Sequence, residues 1–337
     1  MINDWQNLIQ PAWRRLMDTY ADVRQHAFFE SRPRRLGDPV WAYNWSFGAL
    51  LACAGAICQG GRGDILTAAD WHGLRQGLLG YQRRGPGFAS TTRLKHARLG
   101  DAFYDDNAWI GLACLDLAPS DSYFDQVTMI YRFLLQGMDP RCGGIFWKER
   151  PRASLHVCST GPALIMAARL YGIDSKAVDL DQIQAMMGWL DHMRSPDGRY
   201  WDNQKVSDGK IETTLHTYNT GTPLMAMALL EGLPGFSFRE AVTQSVNSLP
   251  GFLTESGGLP PTPWFNVVLL RGILAVKKTY RLSSALLPVY IRTMEEAVDR
   301  FSRDQALLHL PSRDSRGGIM LRDAAASVET LALLSNA

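Results

Sequence analysis

A closed ring of helical hairpins, the all-α (α/α)6 barrel, is the fold that this 337-residue sequence predicts. Three observations lead there. No stretch keeps the strict apolar–polar alternation of a half-buried strand, whereas helical spacing of apolar residues recurs from end to end. The helical segments are of two kinds: six carry one apolar side, and six are apolar nearly all round and rich in small residues. The two kinds alternate, and each pair takes about 45–60 residues, within reach of known helical-repeat periods. A helix apolar on every side is a buried one, so the second kind forms an inner ring. An open solenoid would expose an apolar face and need polar end caps.

The first outer segment, residues 3–29, places Trp5, Leu8, Ile9, Trp13, Leu16, Met17 and Tyr20 at helical spacing, with Pro11 marking a kink or an early boundary. Its inner partner is 45–58. The following pairs are 64–81 with 105–117, 121–137 with 160–171, 177–194 with 220–230, 238–248 with 264–276, and 284–301 with 324–334. The third and fourth inner segments resemble each other, TGPALIMAARLYG against TGTPLMAMALLEG, with Pro near the start and Gly just past the end as helix punctuation. No Pro/Ser-rich linker interrupts the series, so residues 1–337 read as a single domain.

Long connections at 82–104, 139–155, 195–218, 249–263 and 308–321 each run from an outer helix into the next inner one. Loops of this length are uncommon unless functional. They are predicted to gather over the N-termini of the inner helices.

Composition narrows the function. With 46% hydrophobic and 20% charged residues the chain is an ordinary globular one. A net charge of +2 supplies no field for nucleic acid or anionic lipid. The longest apolar run, 48–58, is too short to span a bilayer. The N-terminus has no basic segment followed by an apolar core, and five cysteines fall without metal spacing. The expectation is a cytoplasmic monomer, or a mature chain whose leader was removed, with no metal and no cofactor.

The inner-helix starts share a vocabulary: Trp41-Ala42-Tyr43-Asn44-Trp45, Tyr104-Asp105-Asp106-Asn107, Ser159-Thr160-Gly161, Thr217-Tyr218-Asn219-Thr220-Gly221 and Trp264-Phe265-Asn266. The loops add Gly143 to Lys148, with Trp147, and Asp197 to Asp202, with Trp201. Aromatics to stack on sugar C–H faces, together with amides, hydroxyls and acids for sugar hydroxyls, form the inventory of a carbohydrate site. Asp105 and Asp106 head a buried helix. One carboxylate can cap it; the second must be solvated, paired or used. Glycoside hydrolysis needs two carboxylates, set about 5–5.5 Å apart for retention and wider for inversion. Neighbouring residues have Cα atoms about 3.8 Å apart, which favours the shorter spacing and a retaining mechanism.

The run YDDNAWIGLA, a GGI-aromatic-Trp-Lys loop, TGPALIMAARLY, Trp189 with Asp197-Gly198, and TYN-x-G together resemble glycoside hydrolase family 76, collinearly over residues 41–271. The resemblance implies an (α/α)6 barrel without metal that cleaves α-1,6-mannan, with Asp105 as nucleophile and Asp106 as general acid/base. It departs from the family pattern where Phe146 replaces a Trp, Thr160 an Asn and Thr220 a Gln, and where 265–271 keeps Phe265 and Arg271 but lacks Lys. Tyr104, Asn107, Asn44, Trp147, Ser159, Thr160, Trp201, Tyr218, Asn219 and Arg271 are the expected substrate contacts. For Tyr218 and Asn219 helix capping is an equal alternative, and a buried Arg271 needs either a ligand or an acidic partner. Trp109 is expected in the core, and His156 and His216 as satisfied loop residues. Two rivals share the fold: sugar enzymes of the N-acylglucosamine 2-epimerase or unsaturated glucuronyl hydrolase type, and a carbohydrate-binding barrel without catalysis.

Overall fold

The computed structural model describes residues 2–94, 100–117, 121–304, 306–313 and 317–337. Twelve α-helices run through these residues. The outer ones are α1 (Ile2–Tyr20), α3 (Ala68–Leu79), α5 (Asp121–Gln136), α7 (Leu180–His192), α9 (Arg239–Ser248) and α11 (Leu287–Asp304). The inner ones are α2 (Asn44–Gln59), α4 (Tyr104–Leu117), α6 (Val157–Ile173), α8 (Thr217–Leu230), α10 (Pro263–Tyr280) and α12 (Leu321–Leu334). Each inner helix packs on the next, and α12 returns to α2, so the ring closes as an (α/α)6 barrel. No described helix is long and apolar enough to cross a membrane.

The repeated Thr-Gly at the start of α6 and α8 has a packing reason. A Cβ on Gly161 would lie 2.7 Å from Thr222 Cβ, and one on Gly221 would lie 2.6 Å from Leu269 Cα. The glycines let successive inner helices approach backbone to side chain, so that layers without large side chains still close-pack.

Two expectations for the first helix change. α1 continues through Pro11, which is exposed while Ile9, Ala12, Trp13 and Leu16 are buried. The hydrogen bond that Pro11 cannot make therefore falls on the solvent side, and packing of the opposite face holds the helix. The helix stops at Tyr20, because residues 21–28 form a hairpin of β1 (Ala21–Asp22) and β2 (Ala27–Phe28). Asp22 Oδ1 accepts the N–H groups of Arg24 and Gln25 and turns the chain. A capping box between Thr67 and Asp70 opens α3, and Asp70 also binds Arg14 and the Trp13 indole, tying α3 to α1.

The connections into the inner helices meet at one end of the barrel, as predicted, and join edge to edge. β3 (Ser31–Arg32) pairs with β7 (Ile319–Met320), linking the first connection to the last. Phe103 bridges Lys148. β4 (Ser154–His156), β5 (Asn203–Lys205) and β6 (Ile211–Glu212) form a small antiparallel sheet. Arg199 donates to the Gly251 carbonyl, and the Arg313 N–H to that of Pro261. These strands of two or three residues are too short to leave a two-residue period in the sequence.

Candidate active site

A cavity of about 660 Å³ opens at the loop-bearing end, over the first turns of α4, α6, α8 and α10. Asp105 and Asp106 lie at its base. Trp147, Tyr218, Trp264 and Phe265 supply apolar wall, and Tyr43, Trp45, Ser90, Asp101, Phe103, Trp109, His156, Cys158, Asp202 and Val268 complete the lining.

Both carboxylates occupy the first turn of α4, where helix N–H groups point toward them. Asp105 Oδ2 accepts from Trp147 Nε1 at 3.1 Å and from the Cys158 thiol at 3.6 Å. Burial pushes Asp105 up to about 6, against the opposing pull of nearby backbone N–H groups, Trp147 and Cys158. Asp106 is pushed well above the usual carboxylate range by burial, then by the negative charge of Asp105, then by Glu30. The two therefore divide the labour of protonation: Asp105 ionises first and Asp106 keeps its proton.

The aromatics are braced. Trp147, 42% exposed, stacks on His156 at 5.5 Å and meets Phe103 edge-on at 4.9 Å. Tyr218 packs on Phe265 at 4.2 Å, and Trp264 on Trp109 at 5.2 Å. His156 shares a hydrogen bond with Ser154, and burial lowers its imidazole to about 4, so the ring is neutral at physiological pH. Asp202 accepts from Asn219 at 3.0 Å and from Asn203 at 2.9 Å, which fixes this carboxylate at the cavity wall.

Four of the sequence-predicted residues line this cavity together: Asp105, Asp106, Trp147 and Tyr218. Most of the others stand one layer behind it. Asn107 grips the Phe88 backbone reciprocally, accepting its N–H at 2.6 Å and donating to its carbonyl at 3.0 Å. Thr160 Oγ accepts the Ile145 N–H and donates to the His156 carbonyl, holding the GGI loop. Asn219 orients Asp202. Asn44 and Ser159 are buried outside the lining, and among the described residues their side chains have no hydrogen-bond partner.

Three further expected contacts stand outside the cavity lining. Tyr104 turns outward and stacks on Phe133 at 4.6 Å. Trp201 is half-buried against the core and is not among the lining residues, although the next residue, Asp202, is. Arg271 lies inside the ring, where it pairs with Glu329 at 2.5 Å and Asp116 at 3.2 Å and donates to the Ala52 carbonyl, so the acidic-partner alternative holds.

Sequence reasoning missed Cys158 and His156 as lining residues, and it placed Asp202 in a site loop without singling it out. Trp109, expected in the core, is buried yet also forms cavity wall. Trp264 and Phe265 could have been chosen, since they stand in the first turn of an inner helix as Asp105 and Asp106 do. Cys158 and His156 gave no signal beyond their nearness to the Ser159-Thr160-Gly161 start.

Comparison with known proteins shows the family and the fold. A family profile for Glycosyl hydrolase family 76 matches residues 76–258. The fold is similar to that of a family 76 glycoside hydrolase from a bovine Bacteroides thetaiotaomicron strain, at a TM-score of 0.82 and 23% identity over 98% of this chain and 77% of that one. It is also similar to an α-1,6-mannanase of Salegentibacter sp. HEL1_6, solved as an inactive variant with two adjacent aspartates replaced and with α-1,6-mannotetrose bound. There the TM-score is 0.76 and the identity 21%, over 98% of this chain and 99% of that one. At the sequence level it is 29% identical over 178 residues to the meiotically up-regulated gene 191 protein of Schizosaccharomyces pombe. That match covers 46% of this chain and 39% of the fungal protein. With the profile spanning more than half its length, the chain belongs to glycosyl hydrolase family 76.

Proposed function

We propose that the protein is a retaining glycoside hydrolase that cleaves α-mannosidic bonds, 1,6-linked, in mannan-like oligosaccharides. The observation that carries this reading is one cavity holding two sequence-adjacent carboxylates of unequal proton affinity, Asp105 and Asp106. The ionised Asp105 attacks the anomeric carbon. As that C–O bond forms, the glycosidic C–O bond breaks and Asp106 gives its proton to the leaving oxygen. Asp106 then takes a proton from water, whose oxygen displaces Asp105 from the anomeric carbon. Trp147, Tyr218, Trp264 and Phe265 offer ring faces to sugar C–H groups, and Asp202 offers acceptors to hydroxyls. The solved mannanase with bound α-1,6-mannotetrose supports the choice of linkage. An epimerase built on several histidines fits less well, since His156 is the one histidine among the described lining residues.

The test is hydrolysis of α-1,6-mannan followed by NMR of the first anomer released. The α-anomer is expected from the wild type, with no reducing sugar released by Asp105→Ala or Asp106→Ala. Release of the β-anomer would overturn retention. Full activity in either variant would overturn the roles of the pair.

A further inference from the structure

We propose that Cys158 is a positioning residue for Asp105, its thiol and the Trp147 indole holding one oxygen of that carboxylate between them. The inference rests on the hydrolase reading, in which Asp105 must stay ionised and aimed. The two donors come from separate elements. Cys158 stands in the first turn of α6, buried, with Sγ 3.6 Å from Asp105 Oδ2. Trp147 arrives from the preceding loop, braced by His156 and Phe103, with Nε1 3.1 Å from the same oxygen.

A thiol is a weak donor, but this one does not lose its proton. Burial, then the charges of Asp105 and Asp202, hold its pKa well above that of a free cysteine. The ionisable groups around Asp105 are Asp106 on its own helix, His156 and Cys158 at the start of α6, Asp202 from the β5 loop and Tyr218 from α8. No lysine or arginine is among the described lining residues, and Lys148, next in sequence to Trp147, is paired with Asp101 at 3.2 Å. Hydrogen-bond donors therefore do what a cation does elsewhere: they favour the charged carboxylate. Without the thiol, Asp105 binds its proton more tightly and its carboxyl is freer to turn. A serine at 158 brings a shorter side chain but a stronger donor to a charged acceptor.

The experiment titrates the aspartate carboxyls by 13C NMR in the full chain, comparing wild type, Cys158→Ala and Cys158→Ser, with Asp105→Asn to assign the resonance. The Asp105 midpoint is expected to rise by about half a unit to one unit in Cys158→Ala, the size of one weak hydrogen bond to a charge. In Cys158→Ser it stays or falls. On α-1,6-mannobiose the acid limb of kcat/KM moves in the same direction, with KM unchanged. An unmoved midpoint in Cys158→Ala overturns the proposal. Should that variant fail to fold, a raised midpoint in Cys158→Ser overturns it instead. Failure of every form to cleave mannosides would count against the hydrolase reading, and the titration would still decide the role of Cys158.

Discussion

Helix α4 carries acid at both ends, half-buried at its start and buried near its end, and the two ends behave differently. Asp105 and Asp106 in its first turn face the open cavity, and among the described residues neither makes an ion pair. Asp116, about 16 Å further along the helix, lies inside the ring. It binds Arg169 at 2.5 Å and Arg271 at 3.2 Å, and Arg271 reaches Glu329 at 2.5 Å. This second cluster joins α4, α6, α10 and α12, and the Arg271 bond to the Ala52 carbonyl adds α2. Burial raises Glu329 as well, but Arg271 opposes it, whereas Asp106 faces only burial and further negative charge. A buried acid given a guanidinium is a structural tie. A buried acid denied one keeps an altered proton affinity, which is the state that chemistry uses.

Replacing the acids at each end should therefore have opposite consequences. The largest effect is on rate: Asp105→Asn and Asp106→Asn should each lower kcat on α-1,6-mannan by about 10²–10⁴-fold or more, while thermal melting stays at or above the wild type, because a poorly compensated charge has gone at 105 and a protonated acid has been exchanged for a neutral amide at 106. A clear fall in melting temperature in both variants would place the pair with the structural acids. At the inner end the order reverses. Arg271→Met leaves Asp116 with Arg169 alone and Glu329 with no cation, and should cost about 3–5 kcal/mol in denaturant unfolding. Retention of wild-type stability by Arg271→Met would remove the distinction drawn between the two clusters.

The same comparison explains how much was readable in the sequence. Alternation of one-sided and all-apolar segments reports burial directly, so the twelve helices and the closed ring were legible. Asp105 and Asp106 stood out because adjacent acids do not belong at the head of a run like Ala108 to Leu115. Arg271 was ambiguous because its partners lie 58 and 155 residues away in the chain, and no local pattern records such a pairing. Asn107, Thr160 and Asn219 were chosen for being polar at helix starts; the structure uses them to fasten loops and to aim Asp202. Asp202 and His156 enter the cavity through the pairing of β4 and β5, whose strands are too brief to announce themselves.

The smallest of the expected effects separates the two clusters by pH alone. Asp105 has a pKa of about 6 in the folded protein and an ordinary value of 3.8 when exposed. A carboxyl raised in this way binds more protons folded than unfolded between those values, so stability falls as pH rises through that window. Asp106, raised further, extends the decline upward. Asp197 acts in the contrary sense, because Arg199 lowers it to about 2. Its contribution is lost only as pH drops below about 4, outside the window. Thermal unfolding from pH 4 to pH 7 should show the wild type losing ground to the Asp105→Asn, Asp106→Asn double variant as pH increases. The acid limb of kcat/KM should fall near pH 6, where the pair takes up a proton, with both limbs belonging to the pair rather than to either residue. Parallel stability curves would mean that the mouth acids are as well compensated as those bound by Arg271, and the contrast between the two ends of α4 would then rest on geometry alone.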